Sequence, residues 1–547
     1  MKVQNRSPHK SITHKLILFT GMLLVTGVST SGTPGAIGMK AGYQTPNAEV
    51  PAGQTPVIAY RLTPLIAANP RQLQVTMHFS VPAGETHAAL QMPAWSPGDY
   101  HLQYHARYVR NFHARDSANT QHELDVTQPD PNTWDINTGS AHDVTVTYTL
   151  QETPPGFFSE NVQLRSSQIF LNGTAVYMYL VGHKEMPVTL QIDLPNRWLS
   201  ETPLPMQKAV GGAAYTAPDY DTLADSPVVI AAQGAVTTRE FTLGKTAFRA
   251  VYFGQQDKIR DVDAYTPVLK KIAQAEIGIF GTMPTERYDF LFDVDGRGGG
   301  LEHLNCCRIA LPSGAVPERY APFIAHEFFH LWNVKRIRPQ VLGPFDYIEP
   351  PRTRNLWFAE GVTEYYAHIA TRRAGLTSAS AFLTHWRRAI AAMQQNLARF
   401  KVTADQSSLK VWESGDSQGF GGLSYYDKGE LIGLCLDLKI RAVTDNRRSL
   451  DDVMRLLWQR TAPPKPGYGE DDIRAAVNKI AGADLSAFYD SLARSSDELP
   501  YSECLAYAGL DDNLRLLPTI SAGQQTLYTL WSTASAAAPN AAAGTAR

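Results

Sequence analysis

The run His326-Glu327-Phe328-Phe329-His330 limits what this chain can fold into more than any other stretch. On an α-helix, residues four apart stand on one face, so both imidazoles can reach a single ion. Glu327 lies one step along, beside such an ion, where it can take a proton from an activated water. Phe323-Ile324-Ala325 before the motif and Phe328-Phe329 within it supply an apolar wall that keeps such a site dry. The spacing predicts a helix over roughly residues 322–335, with His326 and His330 as metal ligands and Glu327 as catalytic base.

A catalytic zinc usually takes three protein ligands and keeps one position open. Glu360, in the aromatic run LWFAEGVTEYYA (356–367), is the best candidate for the third, with His303 and His368 as weaker alternatives. The segment between His330 and Glu360 is long enough for a helix end, a loop and a return. Glu364, one turn beyond Glu360, is placed to hydrogen-bond a ligand histidine from outside the metal sphere.

At 547 residues the chain exceeds one ordinary core, so two or more domains are expected. Residues 55–250 read as short period-two segments rich in Val, Thr, Tyr and Phe, such as QLQVTMHFSVP and DVTVTYTLQ, broken by turn residues. That pattern predicts an N-terminal antiparallel β-sandwich-like domain. Within it, MPAWSPGDY (92–100) reads as a tryptophan packed beside a Pro-Gly turn, with no evident chemistry.

Residues 251–510 change texture. A strand-like YDFLFDV (288–294) feeds the loop DGRGGGLEHLN, and helical patterns follow, including SASAFLTHWRRAIAAMQQNLARF and YYDKGELIGLCLDLKIRAV. The expected fold is therefore α+β and multidomain, with a mostly helical catalytic domain second. Ser449 and Asp452 mark a helix start resembling a capping box. Residues 511–547, rich in Ala, Thr and Ser, are expected to form a disordered tail.

Lys2, Arg6, Lys10 and Lys15 precede the apolar run Leu16–Val28, and small residues follow. This is the pattern of a signal peptide over 1–32, which implies a secreted or periplasmic protein. No A-x-A cleavage site is present, so a retained anchor is the alternative. The run is short for crossing a bilayer of about 30 Å, so stable membrane insertion is not expected. A formal charge of −2 provides no basic field for nucleic acid. Cys306, Cys307, Cys435 and Cys504 do not have the spacing of a disulfide framework and read mostly as packing residues.

The extended stretch HEFFHLWNVKRIRP followed by LWFAEGVTEYYA resembles the glycyl aminopeptidase family of gluzincin zinc metallopeptidases. The similarity runs from the strand-rich front, with its WSPGDY turn, through YYDKGELIGLCLDL to ADLSAFYDSLARSSDELPY, roughly residues 55–510. The resemblance implies a thermolysin-like catalytic domain and one Zn2+ per chain on His326, His330 and Glu360, with Glu327 as general base. It also implies that Gly299, Gly300 and Glu302 of GGLEH form an exopeptidase motif, the Glu302 carboxylate holding the substrate's α-amino group. Tyr426, with Tyr425 competing for the role, would donate to the oxyanion. Peptides with a free N-terminus are the implied partners, with small first residues (Gly or Ala) preferred.

Members commonly carry a C-terminal PDZ domain, which is not expected within 511–547. Cys306 and Cys307 stand where small hydroxyl residues are usual, which bears on the shape of the substrate-end pocket. Rival readings keep the metal but make the protein a gluzincin endopeptidase or another zinc hydrolase, or make it a binding module with a structural metal. The intact Glu327 argues against the last, because a structural site needs no base.

Overall fold

The computed structural model describes residues 58–533, except 82–83, 155–161, 208–211, 256–257, 259–260, 295, 297 and 416–417. The expected signal segment 1–32 lies outside the described residues.

The first domain is a set of β-sheets around one apolar core. Its largest sheet has seven strands, ordered 206–207, 213–217, 188–192, 58–65, 72–80, 143–151 and 109–116. All neighbours run antiparallel except Ile58–Leu65 against Val188–Ile192. Strands Gln72–Ser80 and Asp143–Gln151 bury every second side chain, so the period-two pattern seen in the sequence is the division between core and solvent. Two four-stranded sheets close over that face, giving Leu90, Ile136, Ile169 and Ile230 to the same core. The hydroxyls of Tyr60, Tyr148 and Tyr220, buried among these apolar groups, donate to the carbonyls of Met178, Val176 and Tyr177, which removes the cost of burying them unpaired.

The second domain begins earlier than the composition suggested. The hairpin Val236–Leu243 and Thr246–Phe253 was expected to end the first domain near residue 250, but it pairs onward with Arg287–Asp293 in a five-stranded mixed sheet. Phe248 and Tyr252 on one face pack on the helices, while Val251 and Phe253 on the other meet Phe170 and Val229 of the first domain. Cover on both faces explains why Tyr288–Val294 is buried throughout, its two acids, Asp289 and Asp293, pairing with Arg287 and Arg308. Cys306 and Cys307 sit on the next strand and point to these opposite faces, both thiols free and buried.

The motif helix runs Pro317–Phe329 and not 322–335. Pro317 takes the first helical position, where its missing N–H costs nothing. After Phe329 the chain tightens into turns, with Leu331 and Trp332 donating to carbonyls three residues back. His330 keeps helical dihedrals at the C-terminal boundary, so the four-residue spacing still holds. The next helix, Val362–Arg373, is preceded by a π-helical turn over Trp357–Gly361. It crosses the long helix Tyr425–Val443 at two glycines. A Cβ on Gly361 would lie 2.5 Å from Gly429 Cα, and one on Gly429 would lie 2.3 Å from the Trp357 carbonyl oxygen.

The domains exchange loops. Ala94 N and Trp95 Nε1 donate to the carbonyls of Tyr347 and Asp346, at 2.8 and 2.9 Å. Trp95 and Tyr100 bury in the helical domain's core, while Tyr347 buries in that of the β domain. The expected capping box at Ser449 and Asp452 forms. No described helix is long and apolar enough to cross a membrane.

The expectation of a disordered tail from residue 511 is corrected for its described part. Ala522–Ser532 is a helix, started by a Ser521–Gln524 capping box. Its Trp531 packs on Phe382, with ring centroids 4.9 Å apart, and donates to the Tyr365 hydroxyl at 3.3 Å. The polar composition hid one large apolar anchor. Trp531→Ala is expected to cost about 3–5 kcal/mol, read as a lowered denaturation midpoint of the whole chain.

Candidate active site

The motif helix and the π-turn bring His326, His330 and Glu360 together. His326 Nε2 and His330 Nε2 are 3.0 Å apart, and Glu360 Oε2 is 3.2 Å from His330 Nε2 and 3.7 Å from His326 Nε2. All three are buried. Donors each about 2.0–2.2 Å from one tetrahedral ion must lie roughly 3.3–3.6 Å apart. The three separations scatter about that range, so shifts of a few tenths of an ångström bring the donors onto one ion of zinc's size and donor preference.

Outer contacts fix how each imidazole faces the cluster. His330 Nδ1–H donates to the Asn333 carbonyl at 2.7 Å, and His326 Nδ1 lies 2.8 Å from Glu364 Oε2. Both rings therefore turn Nε2 inward with its lone pair free. The Asn333 amide also donates to the Phe358 carbonyl at 2.9 Å and to Thr363 Oγ1 at 3.0 Å. One side chain thus ties the turn after His330 to the π-turn that carries Glu360. Burial would raise the Glu360 carboxyl, but the facing His330 and His326 hold it below the ordinary carboxylate range.

Glu327 lies beside the cluster. Burial pushes its carboxyl up to about 8, against the pull of His326 and His330. A Cβ on Gly300 would lie 2.2 Å from Glu327 Oε1, so the edge strand Gly300–Glu302 can pass this carboxylate only without a side chain there. Glu302, two residues on, is 4% exposed, and its Oε1 has no hydrogen-bond partner. Burial raises its pKa, opposed by His330 and Lys335.

The turn read as structural packing reaches this site. Gly98, at φ +94°, lies so close to Glu302 that a Cβ would sit 2.6 Å from both carboxylate oxygens. Tyr100 OH donates to Glu360 Oε1 at 3.3 Å. Ser-Pro-Gly-Asp signals a turn, but nothing in that signal says where the turn docks.

Tyr426 is half-buried, and its ring lies over His326, with centroids 6.0 Å apart and planes 26° from parallel. Tyr425 is fully buried and packs edge-on against Tyr100. Of the two tyrosines, Tyr426 is the one beside the histidines.

The weaker ligand candidates are engaged elsewhere. His303 Nδ1 lies 2.9 Å from Asp225 Oδ1, and Lys335 Nζ is 3.0 Å from Asp225 Oδ2. His368 groups with His385 and Glu430. A cavity of about 630 Å³ opens beside Glu302, lined also by Trp95, Gly98, Tyr100, Lys335 and Arg338.

Two imidazoles and a carboxylate converging beside a second, buried carboxylate are the equipment of a metal-dependent hydrolase. Residues 63–232 match the peptidase M61 N-terminal domain and residues 319–432 match M61 glycyl aminopeptidase. An aminopeptidase N family protein from Idiomarina loihiensis is 25% identical, with a TM-score of 0.75 over 82% of this chain and 78% of that one. An M1 zinc metallopeptidase from Deinococcus radiodurans shares the fold at 12% identity and a TM-score of 0.52, over 80% of this chain and 94% of that one. Aminopeptidase A from Legionella pneumophila, in complex with aspartic acid, shares it at 14% and 0.50, over 81% of this chain and 50% of that one. No curated protein matches the sequence. The chain belongs to the M61 glycyl aminopeptidase family and is a peptidase.

Gly300→Ala should lower kcat/KM about 100-fold by displacing Glu327, since misplacement of a reacting group by about 1 Å costs that much. Circular dichroism of the variant should stay unchanged. Lys335→Met strands the buried Asp225 charge and should cost about 3–5 kcal/mol at neutral pH. Burial raises the Asp225 carboxyl, but Lys335 and His303 bring it below its ordinary value. Its contribution is therefore full above the unfolded value of about 3.9 and is lost as pH falls through the lower folded value. The variant's deficit, measured by denaturation at several pH values, should shrink over that range.

Proposed function

We propose that the protein is a zinc-dependent aminopeptidase that removes the first residue of peptides with a free N-terminus, preferring glycine or alanine. The observation that carries this reading is the meeting of His326, His330 and Glu360 beside the buried carboxylate of Glu302, whose Oε1 has no hydrogen-bond partner. A carboxylate that close to the metal pairs with an ammonium group and sets the distance from chain end to scissile bond. An endopeptidase has no use for such a group.

In this reading His326, His330 and Glu360 hold the ion, and Glu364 and Asn333 orient the two imidazoles. Zinc bound there supplies a Lewis acid that polarises the first peptide carbonyl and lowers the pKa of the attacking water to about 7. Glu327 takes that water's proton and passes it to the leaving amine nitrogen. Burial raises its carboxyl to about 8, and a cation held by His326, His330 and Glu360 would draw it down toward the ionised form a base needs. The Tyr426 hydroxyl donates to the developing oxyanion, a contact whose loss typically costs about 2.7–4 kcal/mol of barrier. Gly299 and Gly300 keep the strand edge beside the substrate free of side chains.

The preference for small first residues rests on the family match. The cavity of about 630 Å³ beside Glu302 favours a second reading in which larger first residues are also accepted. The basic and apolar segment within 1–32 supports export to the periplasm or beyond.

Chelation should abolish hydrolysis of Gly- and Ala-arylamides, and zinc should restore it. Glu327→Gln should lower kcat by about 10²–10⁴ with the metal retained. N-acetylated peptides should be cleaved far more slowly than free ones, and Glu302→Gln should erase that difference by slowing only the free peptides. Equal rates on free and blocked peptides in the native enzyme would sink the aminopeptidase reading, and chelator-resistant activity would sink the zinc reading.

A further inference from the structure

A second cluster of metal-ligating side chains stands apart from the one just described. His368 lies two turns beyond Glu360 on the helix Val362–Arg373. His385 comes from the helix Ala379–Gln395 and Glu430 from the helix Tyr425–Val443. One donor atom from each lies within 4.8 Å of the others, the same limit that encloses His326, His330 and Glu360. His385 Nε2 is 3.0 Å from Glu430 Oε2. The rings of His368 and His385 stack with centroids 3.3 Å apart, too close for both to be positively charged without strong repulsion.

Charge around the cluster is unbalanced. Glu364 Oε1 is 3.4 Å from His368 Nε2, and Asp427 stands exposed in the first turn of the helix that carries Glu430. No lysine or arginine among the described residues forms an ion pair with Glu364 or Glu430. The Glu430 carboxylate, with its side chain 8% exposed, has imidazole as its ion-pair partner, and a buried carboxylate is costly unless a cation or hydrogen bonds offset it. Imidazole nitrogens with one carboxylate are donors suited to zinc and its first-row neighbours, not to calcium or magnesium. The His385 side chain is 23% exposed, while those of His368 and Glu430 are 12% and 8% exposed, so an ion would enter past His385.

We propose that His368, His385 and Glu430 form a second site for a divalent transition-metal ion of the zinc type, linked to the first cluster through Glu364. That one carboxylate reaches His326 Nδ1 with Oε2 and His368 Nε2 with Oε1. The two centres therefore share an outer partner, and an ion at the second constrains the group that orients a ligand of the first.

The test is a count of zinc ions bound by the full chain, using metal-stripped protein titrated against a chromophoric chelator. The wild type should bind two per chain. His385→Asn should bind one and retain arylamidase activity, because His385 touches no part of the catalytic cluster. Glu360→Gln should also bind one, held by the second site. A wild type that binds one ion, with the same count in His385→Asn and none in Glu360→Gln, overturns the proposal and leaves the catalytic reading standing. One ion in the wild type, lost in His385→Asn and kept in Glu360→Gln, supports the second site while sinking the catalytic one. Because the wild-type count needs no substitution, misfolding of a variant does not leave the question open.

Discussion

The geometry of the site depends on one backbone contact. Gly361 and Gly429 touch where the helix carrying Glu360 crosses the helix carrying Tyr425 and Tyr426. No other residue permits that approach, because any Cβ at either position falls inside the opposing main chain. The crossing places a carboxylate from one helix and a phenol from the other on the same side of the motif helix. The π-turn at Trp357–Gly361 adds the rotation that points Glu360 at the two imidazoles. Such turns are uncommon within α-helices and recur at functional sites. Asn333 holds this one in place through hydrogen bonds to Phe358 and Thr363.

Around that crossing the molecule buries an unusual density of acid. Glu276, Glu302, Glu327 and Glu360 are all nearly inaccessible, and both carboxyl oxygens of Glu276 lack a partner. Burial drives the Glu276 pKa well above its ordinary value, against the pull of His326. Glu327 and Glu302 are raised for the same reason, while Glu360 stays ionised because two imidazoles face it. Environment thus shifts chemically identical side chains in opposite directions, which would let one pocket serve the proposed metal ligand, base and ammonium acceptor together.

The parts of the site that were legible in the sequence are those set by local periodicity. His326 and His330 share a face because a helix repeats every 3.6 residues, and that held although the helix began five residues earlier than read and ended at Phe329. The strands were legible because one of their faces meets water. The contribution of Trp95–Tyr100 was not legible. A Pro-Gly turn announces its own bend, but its docking partner lies more than two hundred residues away, at Asp346 and Glu360. The sheet that the hairpin Val236–Phe253 joins is not legible for a similar reason, since a strand's pattern does not reveal its partners. Trp531 was missed because one buried ring outweighs a polar composition.

By itself the sequence determined the donor types, their helical spacing, the sheet faces and the turn positions, all properties of neighbouring residues under fixed backbone geometry. Only the tertiary structure decided which carboxylate completes the metal cluster, which of two adjacent tyrosines lies over His326, and that the β domain sends a loop against Glu302 and Glu360. Those outcomes depend on contacts between segments far apart in the chain. Such contacts are selected by packing and by the cost of burying charge, neither of which is written in any local pattern.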